Sequence, residues 1–418
     1  MLCRMSRPFP QEAYAARIAF MVELAEHLHA YGTTGPRLEA SLEMVAQKLE
    51  VECEPWTNPT GMVLSFSDPM RPPGDSDTTR VIRMPPGDND LGRLCDVDRI
   101  VEDVVAGRMG LAEGHAGLRA LDRPLTTREN LMQVLGFGLI AGGITGLLRL
   151  PWLDITTAGL IGLVIGALTV AGRTRPRLRE AGDAVSAVVA TSIAILVAAY
   201  IAPLNLNTVI ISALIVLMPG LALTNAINEL TSQHLVSGTA RFAGAVATMI
   251  MLTVGTMAAL AAAGVVGIEP QVRGWRPQPD WVEWCALVVS AFAFAVLFRA
   301  KPRDYLLVAA AAMTGYLISR LAGQAWGSGF GIFLAALVVT TAGNGYARWA
   351  SRPGAVVRVP GIILMVPGSA SVRTLIVSVQ QQDLGTGQVA AMAVINILLE
   401  IVAGMIFGNL LLPARRSL

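Results

Sequence analysis

The stretch that decides the fold occurs twice in the chain. Residues 214–238 read LIVLMPGLALTNAINELTSQHLVSG, and residues 361–387 read GIILMVPGSASVRTLIVSVQQQDLGTG. Each copy is an apolar run interrupted by a Pro-Gly pair, and each closes with a small hydroxyl residue followed by glycine. The two pairs lie 148 positions apart and are Pro219-Gly220 and Pro367-Gly368. Because proline removes one helical hydrogen bond, both copies predict a helix that breaks at the same place.

The composition divides the chain into a polar first third and an apolar remainder. Of the 418 residues, 53% are hydrophobic and 15% are charged, and the mean hydropathy is +0.56. Soluble domains carry roughly a quarter charged residues. Residues 1–130 hold 20 acidic and 14 basic residues, whereas residues 131–418 hold 10 and 18. This pattern indicates a soluble domain before a polytopic membrane domain, and it excludes a disordered protein, a nucleic-acid binder and a typical cytosolic enzyme.

The apolar remainder contains ten segments that could each span a bilayer, which takes about 20 mostly apolar residues. They are 131–149, 153–171, 183–202, 207–224, 240–267, 282–299, 304–321, 327–346, 355–376 and 388–411. The fourth and ninth segments carry the Pro-Gly pairs, and the same offset relates the first three segments to the sixth, seventh and eighth. We therefore predict a mainly α polytopic membrane protein with ten transmembrane helices, built as two five-helix repeats.

The basic residues between the segments predict the topology. With a cytoplasmic N-terminus, the loops and tail on that side hold 13 of the 18 basic residues that follow residue 130. This bias obeys the positive-inside rule and predicts that both termini are cytoplasmic. Since five is odd, the second repeat must be inverted relative to the first. Inverted repeats with corresponding Gly/Pro breaks are typical of secondary transporters with a midplane binding site; simple packing kinks are the alternative.

The polar first third predicts a small α+β domain of order ααβββαα. Helices are expected over 12–31, 37–49, 91–108 and 111–122, and strands over 51–56, 61–67 and 79–84. The predicted boundaries are 1–125 for this cytoplasmic domain, 126–268 for the first repeat, 269–280 for an extracytoplasmic linker, and 281–418 for the second repeat and cytoplasmic tail.

The N-terminal domain carries no catalytic signature. Glu23 and His27 share a helix face, but no HExxH, GxSxG, Walker or GxGxxG motif is present. The four cysteines lack the spacing of a zinc site or of a disulfide framework. The sequence therefore predicts no catalytic residue, no metal site and no cofactor.

Polar side chains follow the first Pro-Gly pair. Thr224 and Asn228 share one helix face, and Asn225 and Glu229 share another. A helix that restarts after Gly220 presents free N–H groups, which suit a carboxylate ligand. We predict that Thr224, Asn225 and Asn228 bind substrate and that Glu229 takes part in proton coupling.

The second copy and the last segment supply three more candidates. Arg373 occupies the position that corresponds to Asn225; it would either clamp a carboxylate or anchor the helix near the outer surface. Asn396 and Glu400 share a face, with Glu400 near mid-span, where an ionisable group is costly. We predict substrate binding for Arg373 and Asn396, and proton coupling for Glu400, whose alternative role is a hydrogen bond to a neighbouring helix.

Four stretches resemble the threonine/serine exporter family, in the domain order of its fused form. They are LAEHLHAYGTTGPRLEASLEMVAQKLEVECEPWTNPTGMVLSF, TTRVIRMPPGDNDLGRLCDVDRIVEDVVAGRMGLAEGHAGL, MPGLALTNAINELTSQHLVSGTAR and VPGSASVRTLIVSVQ. The resemblance covers about residues 12–412. It implies an exporter of threonine and serine in the bacterial inner membrane, driven by the proton gradient.

We therefore expect a secondary transporter, and not an enzyme, that exports small amino acids by proton antiport. Its expected partners are the amino acid, protons and the lipid bilayer, without nucleic acid; the sequence leaves a homo-oligomer open. Two alternatives stand beside this expectation. The first is an exporter of another small polar solute, such as a dicarboxylate or a short peptide. The second is a membrane-anchored hydrolase with its activity in the N-terminal domain.

Overall fold

The computed structural model describes residues 14–69, 77–274, 277–365 and 384–414. Its N-terminal region contains four helices and three strands in the predicted order. They are α1 (Tyr14–Ala30), α2 (Gly35–Lys48), β1 (Glu52–Asn58), β2 (Gly61–Ser67), β3 (Thr78–Arg83), α3 (Leu91–Val105) and α4 (Leu111–Arg119). The expected small α+β region is therefore confirmed.

The three strands form an antiparallel sheet of order β1-β2-β3, in which Asn58 pairs with Gly61 across the first turn. Met62, Leu64 and Phe66 of β2 are buried and alternate with less buried neighbours, as a period of two requires. These side chains join those of the surrounding helices in one core. This core is continuous with residues of the apolar helices, such as Ile140, Phe294 and Val356, so the N-terminal region packs directly against them.

Twelve further helices follow within the described ranges. They are α5 (Thr127–Leu147), α6 (Trp152–Gly172), α7 (Pro176–Glu180), α8 (Gly182–Tyr200), α9 (Leu206–Ala213), α10 (Gly220–Thr231), α11 (Leu235–Val266), α12 (Asp280–Leu297), α13 (Tyr305–Trp326), α14 (Ser328–Ala350), α15 (Ala355–Ile363) and α16 (Leu384–Leu411). The chain is mainly helical, as predicted.

Eight helices in the described part of the chain are long and apolar enough to cross a membrane. The number becomes nine if the bent pair Leu206–Ala213 and Ile215–Thr231 is one span. The predicted ninth segment, 355–376, is described only as far as residue 365. Its remainder lies outside the described residues and contains three predicted site residues: Pro367, Gly368 and Arg373. Eight or nine candidate spans therefore stand where the sequence predicts ten.

The helices pack in the same order in the two halves of the apolar region. In the first half α5 packs on α6 and α8 packs on α11; in the second, α12 packs on α13 and α14 packs on α16. The leading helices α5 and α12 also pack against each other. They run antiparallel, because Arg149, just after α5, forms a salt bridge with Asp280 at the start of α12.

The N-terminal region docks on one end of the helices through opposite charges. Asp90 lies 3.3 Å from Arg299, and Asp96 lies 2.5 Å from Lys301, between α12 and α13. Partly exposed ion pairs contribute only about 0–1 kcal/mol each, so these contacts fix the orientation more than the strength of docking. The acidic first third of the sequence and the basic loops of the remainder thus meet at this interface.

One close helix crossing generates a stability prediction. A Cβ atom added to Gly315 in α13 would overlap the Gly361 carbonyl oxygen of α15, whereas one added to Gly264 in α11 would meet nothing within 4 Å. We expect Gly315→Ala to destabilise the protein by about 1–3 kcal/mol, as overpacking does. The matched control Gly264→Ala should be neutral or stabilising by up to about 1 kcal/mol, because alanine restricts the unfolded chain.

Thermal unfolding of the purified proteins in detergent measures both changes. We expect the melting temperature of Gly264→Ala to equal or exceed that of the wild type. We expect the melting temperature of Gly315→Ala to be lower than that of the wild type. Equal melting temperatures for the two variants would contradict the close α13–α15 crossing.

Candidate functional site

The helix formed by α9 and α10 is broken at the predicted Pro-Gly pair. After α9 the chain makes one turn of 3-10 helix over Ile215–Leu217, and Met218 is extended (φ −70°, ψ 130°). Pro219 follows and caps α10, which begins at Gly220. The axis of α9 and the axis of the segment Ile215–Thr231, which contains the Pro-Gly pair, differ by 54°. A 3-10 segment inside a helix is typical of strain or of a functional hinge.

More backbone groups at the break form hydrogen bonds than a simple proline kink would allow. The Ile215 carbonyl, which a simple proline kink would leave free, accepts a hydrogen bond from the Met218 N–H at 3.3 Å, because the chain tightens into the 3-10 turn. The Gly220 N–H donates to the Met218 carbonyl at 2.9 Å. In the described ranges the N–H groups of Leu221 and Ala222 have no backbone acceptor. These two donors supply the positive end of α10.

A cavity of about 790 Å³ opens at this break, between helices of both halves of the apolar region. The whole stretch 215–222 lines it. Its other lining residues are apolar and polar in similar number. The polar ones are Asp88, Asn89, Gln133, Thr169, Arg173, Arg179, Asp183, Ser186, Thr208, Ser212, Arg299 and Tyr316. A cavity that combines apolar walls with polar groups is the usual form of a small-molecule site.

Ser212 is a site residue that the sequence analysis missed. Its side chain is buried and lines the cavity, and its hydroxyl has no hydrogen-bond partner within the described ranges. Buried hydroxyl groups normally have a partner, so an unpaired one facing a cavity is suited to a ligand. Nothing in the sequence distinguishes Ser212 from the other serines in the spans, because its role depends on the bend that follows α9.

The predicted substrate residues Thr224, Asn225 and Asn228 line a second, smaller cavity of about 490 Å³. It lies between α10, α15, α16 and the N-terminal region. Thr224 is buried, and its hydroxyl donates to the Gly220 carbonyl at 3.2 Å within its own helix. The three residues are thus together, as predicted, but they face the junction with the N-terminal region and not the large cavity at the break.

Two arginines contribute positive charge to this smaller cavity. Arg37 lies in the first turn of α2, in the N-terminal region, and Arg358 lies in α15. Neither guanidinium group has a hydrogen bond or salt bridge with any residue that the structure describes. Burial lowers the pKa of Arg37 to about 10, with the Asp98 carboxylate opposing that change, so the group stays charged at neutral pH. The only signal in the sequence was an arginine within the apolar stretch AVVRVPGII.

Glu229 is completely buried where the N-terminal region meets the helices. Its carboxylate accepts hydrogen bonds from Ser237 at 2.8 Å, from Arg241 at 3.1 Å and from the Gly35 N–H at 3.2 Å. A buried charge is tolerated when it is paired and hydrogen-bonded, as it is here. Glu229 does not line either cavity.

Glu400 and Asn396 lie apart from both cavities. The Glu400 carboxyl packs against Gly329, in the first turn of α14, and has no hydrogen bond or salt bridge to a described residue. Because α14 begins at the end of the helices opposite the N-terminal region, Glu400 lies near that opposite end and not at the expected mid-depth. Asn396, one turn earlier in α16, is exposed on the outer surface of the described part.

The chain matches two family descriptions. Residues 19–263 match the family described as "Putative threonine/serine exporter", and residues 283–411 match "Threonine/Serine exporter, ThrE". The first match alone covers more than half of the chain. This first match includes both the polar N-terminal region and the first apolar helices, so the two regions belong to one family.

The curated relatives that match include membrane proteins of fungi. "Pheromone-regulated membrane protein 10" of Eremothecium gossypii is 23% identical over 375 residues, which cover 88% of this chain and 50% of the relative. The protein of that name from Saccharomyces cerevisiae is 23% identical over 375 residues, covering 88% of this chain and 48% of the relative.

The chain thus spans about half the length of the curated relatives it matches. No solved structure matches it. The family matches, the eight or nine candidate spans and the relatives agree on a multi-pass membrane protein. The chain belongs to the threonine/serine exporter family and carries both of its domains.

Proposed function

We propose that this protein is a secondary transporter that exports threonine and serine across the bacterial inner membrane by proton antiport. The observation that carries the proposal is the broken helix α9–α10, which opens a cavity of about 790 Å³ among apolar helices. A discontinuous helix beside a cavity is the usual way in which secondary transporters place backbone dipoles next to a substrate. Membership in a family of exporters favours a transporter over an enzyme.

The chemistry of the large cavity suits a small zwitterion with a hydroxyl group. The free N–H groups of Leu221 and Ala222 suit the carboxylate of an amino acid. The Ser212 hydroxyl is available for the substrate hydroxyl, and the Asp183 carboxyl on the same lining is available for the ammonium group. Threonine and serine carry all three groups.

In this proposal the membrane domain consists of ten spans in two inverted repeats, over 126–268 and 281–418. The common packing order and the antiparallel α5 and α12 support the inversion. The short helices α9 and α15, of eight and nine residues, come fourth in their halves and lead to the two Pro-Gly pairs, which supports a matching break in the second repeat. The linker 269–280 would then be extracytoplasmic, with 1–125 and both termini in the cytoplasm.

The smaller cavity would be the cytoplasmic entrance. Arg37 and Arg358 give it a positive field that attracts carboxylates, and Thr224, Asn225 and Asn228 offer uncharged hydrogen-bonding groups. Two guanidinium groups in one cavity also favour the rival proposal that the substrate is a dicarboxylate. Competition of threonine and a dicarboxylate for the same efflux would distinguish the two substrates.

Glu400 is better suited than Glu229 to carry the proton. Glu229 already accepts hydrogen bonds from an arginine, a serine and a backbone N–H, so its oxygens are occupied by protein donors. Glu400 has no such partner among described residues and lies toward the end opposite the N-terminal region. In the proposed topology that end faces the outside, from which protons enter.

The first test is threonine efflux from bacterial cells that lack their own exporters and are fed a threonine-containing dipeptide. We expect cells with this protein to release threonine faster, and we expect an uncoupler to abolish the difference. If efflux is unchanged although the protein is present in the membrane, threonine is not the substrate. The same assay with labelled dicarboxylates then tests the rival.

The Ser212 hydroxyl gives a prediction on substrate affinity. We expect Ser212→Ala to raise the KM for threonine efflux about 2- to 10-fold, the effect of losing one hydrogen bond of about 0.5–1.5 kcal/mol. The matched control is Ser290→Ala, because Ser290 is also buried in a span without a hydroxyl partner but does not line the cavity. Equal KM values for both variants and the wild type would remove Ser212 from the site.

Proton coupling gives a prediction for Glu400. We expect Glu400→Gln to lose threonine-driven proton movement in proteoliposomes containing a pH-sensitive dye, because glutamine has the same shape but does not titrate. Glu269→Gln is the control, since Glu269 is an exposed carboxylate in the loop after α11. Wild-type proton movement in the Glu400 variant would show that another group carries the proton.

A further inference from the structure

Three metal-ligating side chains meet in the N-terminal region, and a further histidine, His115, lies beside them. Glu23 and His27 come from α1, His115 from α4, and Asp122 from the turn that follows α4. His27 Nε2 lies 3.3 Å from an Asp122 carboxylate oxygen, and His115 Nε2 lies 3.3 Å from a Glu23 carboxylate oxygen. The donor atoms of Glu23, His27 and Asp122 all lie within 4.8 Å of one another.

The His27 ring is oriented as a metal ligand is. Its Nδ1 donates a hydrogen bond of 2.8 Å to the Glu23 backbone carbonyl, which can only accept. In the neutral ring this leaves the lone pair on Nε2, which points into the cluster. Metal-binding histidines almost always fix their other nitrogen in this way.

The two imidazole nitrogens lack hydrogen-bond partners. The His27 side chain is 3% exposed, and its Nε2 forms no hydrogen bond within the described ranges. The Nε2 atom of His115 is also buried without one. Buried polar atoms without a partner are uncommon and call for an unseen ligand or ion.

The charge around the cluster is one that a divalent cation would balance. Three carboxyl groups, Glu23, Glu26 and Asp122, lie together, while Arg119 is the cation paired with Glu23, at 3.1 Å. A carboxylate has two oxygens, so Glu23 can retain Arg119 and still bind an ion.

We propose that Glu23, His27 and Asp122 bind one divalent transition-metal ion of the Zn²⁺ type. One imidazole nitrogen and two carboxylates are three protein ligands, and a water molecule in the fourth position would complete the tetrahedral geometry that Zn²⁺ accepts. Mg²⁺ and Ca²⁺ prefer oxygen ligands, so they fit this set poorly. The ion joins α1 to the turn after α4 and therefore closes the N-terminal region. The site goes beyond transport, since none of its three ligands lines either cavity.

The test measures Zn²⁺ binding to the full-length protein in detergent, purified with a tag free of histidine and stripped with a chelator. Equilibrium dialysis followed by elemental analysis should find one Zn²⁺ per chain, and millimolar Mg²⁺ should not displace it. Zn²⁺ should also raise the melting temperature, because a ligand that binds only the folded state stabilises it.

Two variants and a control locate the site. Asp122→Asn and His27→Gln should each weaken Zn²⁺ binding at least 10-fold and abolish the Zn²⁺-dependent rise in melting temperature. Asp122 is 68% exposed, so its variant tests the site even if the buried His27→Gln fails to fold. His234→Gln, at the interface with α10, should bind as the wild type does. Absence of Zn²⁺ from the wild type, or wild-type affinity in Asp122→Asn, would overturn the proposal.

Discussion

Glu229 is a carboxylate with no exposed surface, and the joining of the two parts of the molecule depends on how it is paired. It lies on α10 and contacts Ser237 and Arg241 of α11 as well as the backbone N–H of Gly35 at the start of α2. The ion pair itself lies between α10 and α11, and the N-terminal region contributes the Gly35 hydrogen bond. Moving the N-terminal region away from α10 and α11 therefore removes one of the donors to this buried charge.

The position of Glu229 makes it relevant to the cavity at the helix break. It lies near the end of α10, and the break lies at the start of the same helix, which has 12 residues. A helix of that length is about 18 Å long and behaves as a rigid rod. One end of α10 thus contributes its free N–H groups to the large cavity, while the other end is held by the N-terminal region.

Most of the architecture could be predicted from local sequence patterns. The alternation of GMVLSFS predicts β2, and the apolar runs predict the spans, because burial and length leave a signature within each segment. The Pro219-Gly220 break could be predicted for the same reason. The satisfied Ile215 carbonyl could not, since it depends on the 3-10 turn that the chain adopts before the proline.

Which residues come together in the candidate sites was harder to predict, because this depends on contacts between residues that are distant in the sequence. Arg37 and Arg358 are 321 positions apart and line one cavity. His115 and Asp122 reach Glu23 and His27 only because α4 packs on α1. The depth of Glu400 follows from its packing against Gly329 on α14, which the run of apolar residues around it does not reveal.

The smaller cavity has one further consequence. Its wall is made partly by the N-terminal region, through Thr34 and Arg37, and partly by α10 and α15. Any anion that binds more tightly when these walls are close together must favour the docked position of the N-terminal region. By thermodynamic reciprocity, anything that alters docking alters the affinity for that anion by the same factor. The docked position of the N-terminal region and the occupancy of the smaller cavity are therefore coupled in one equilibrium.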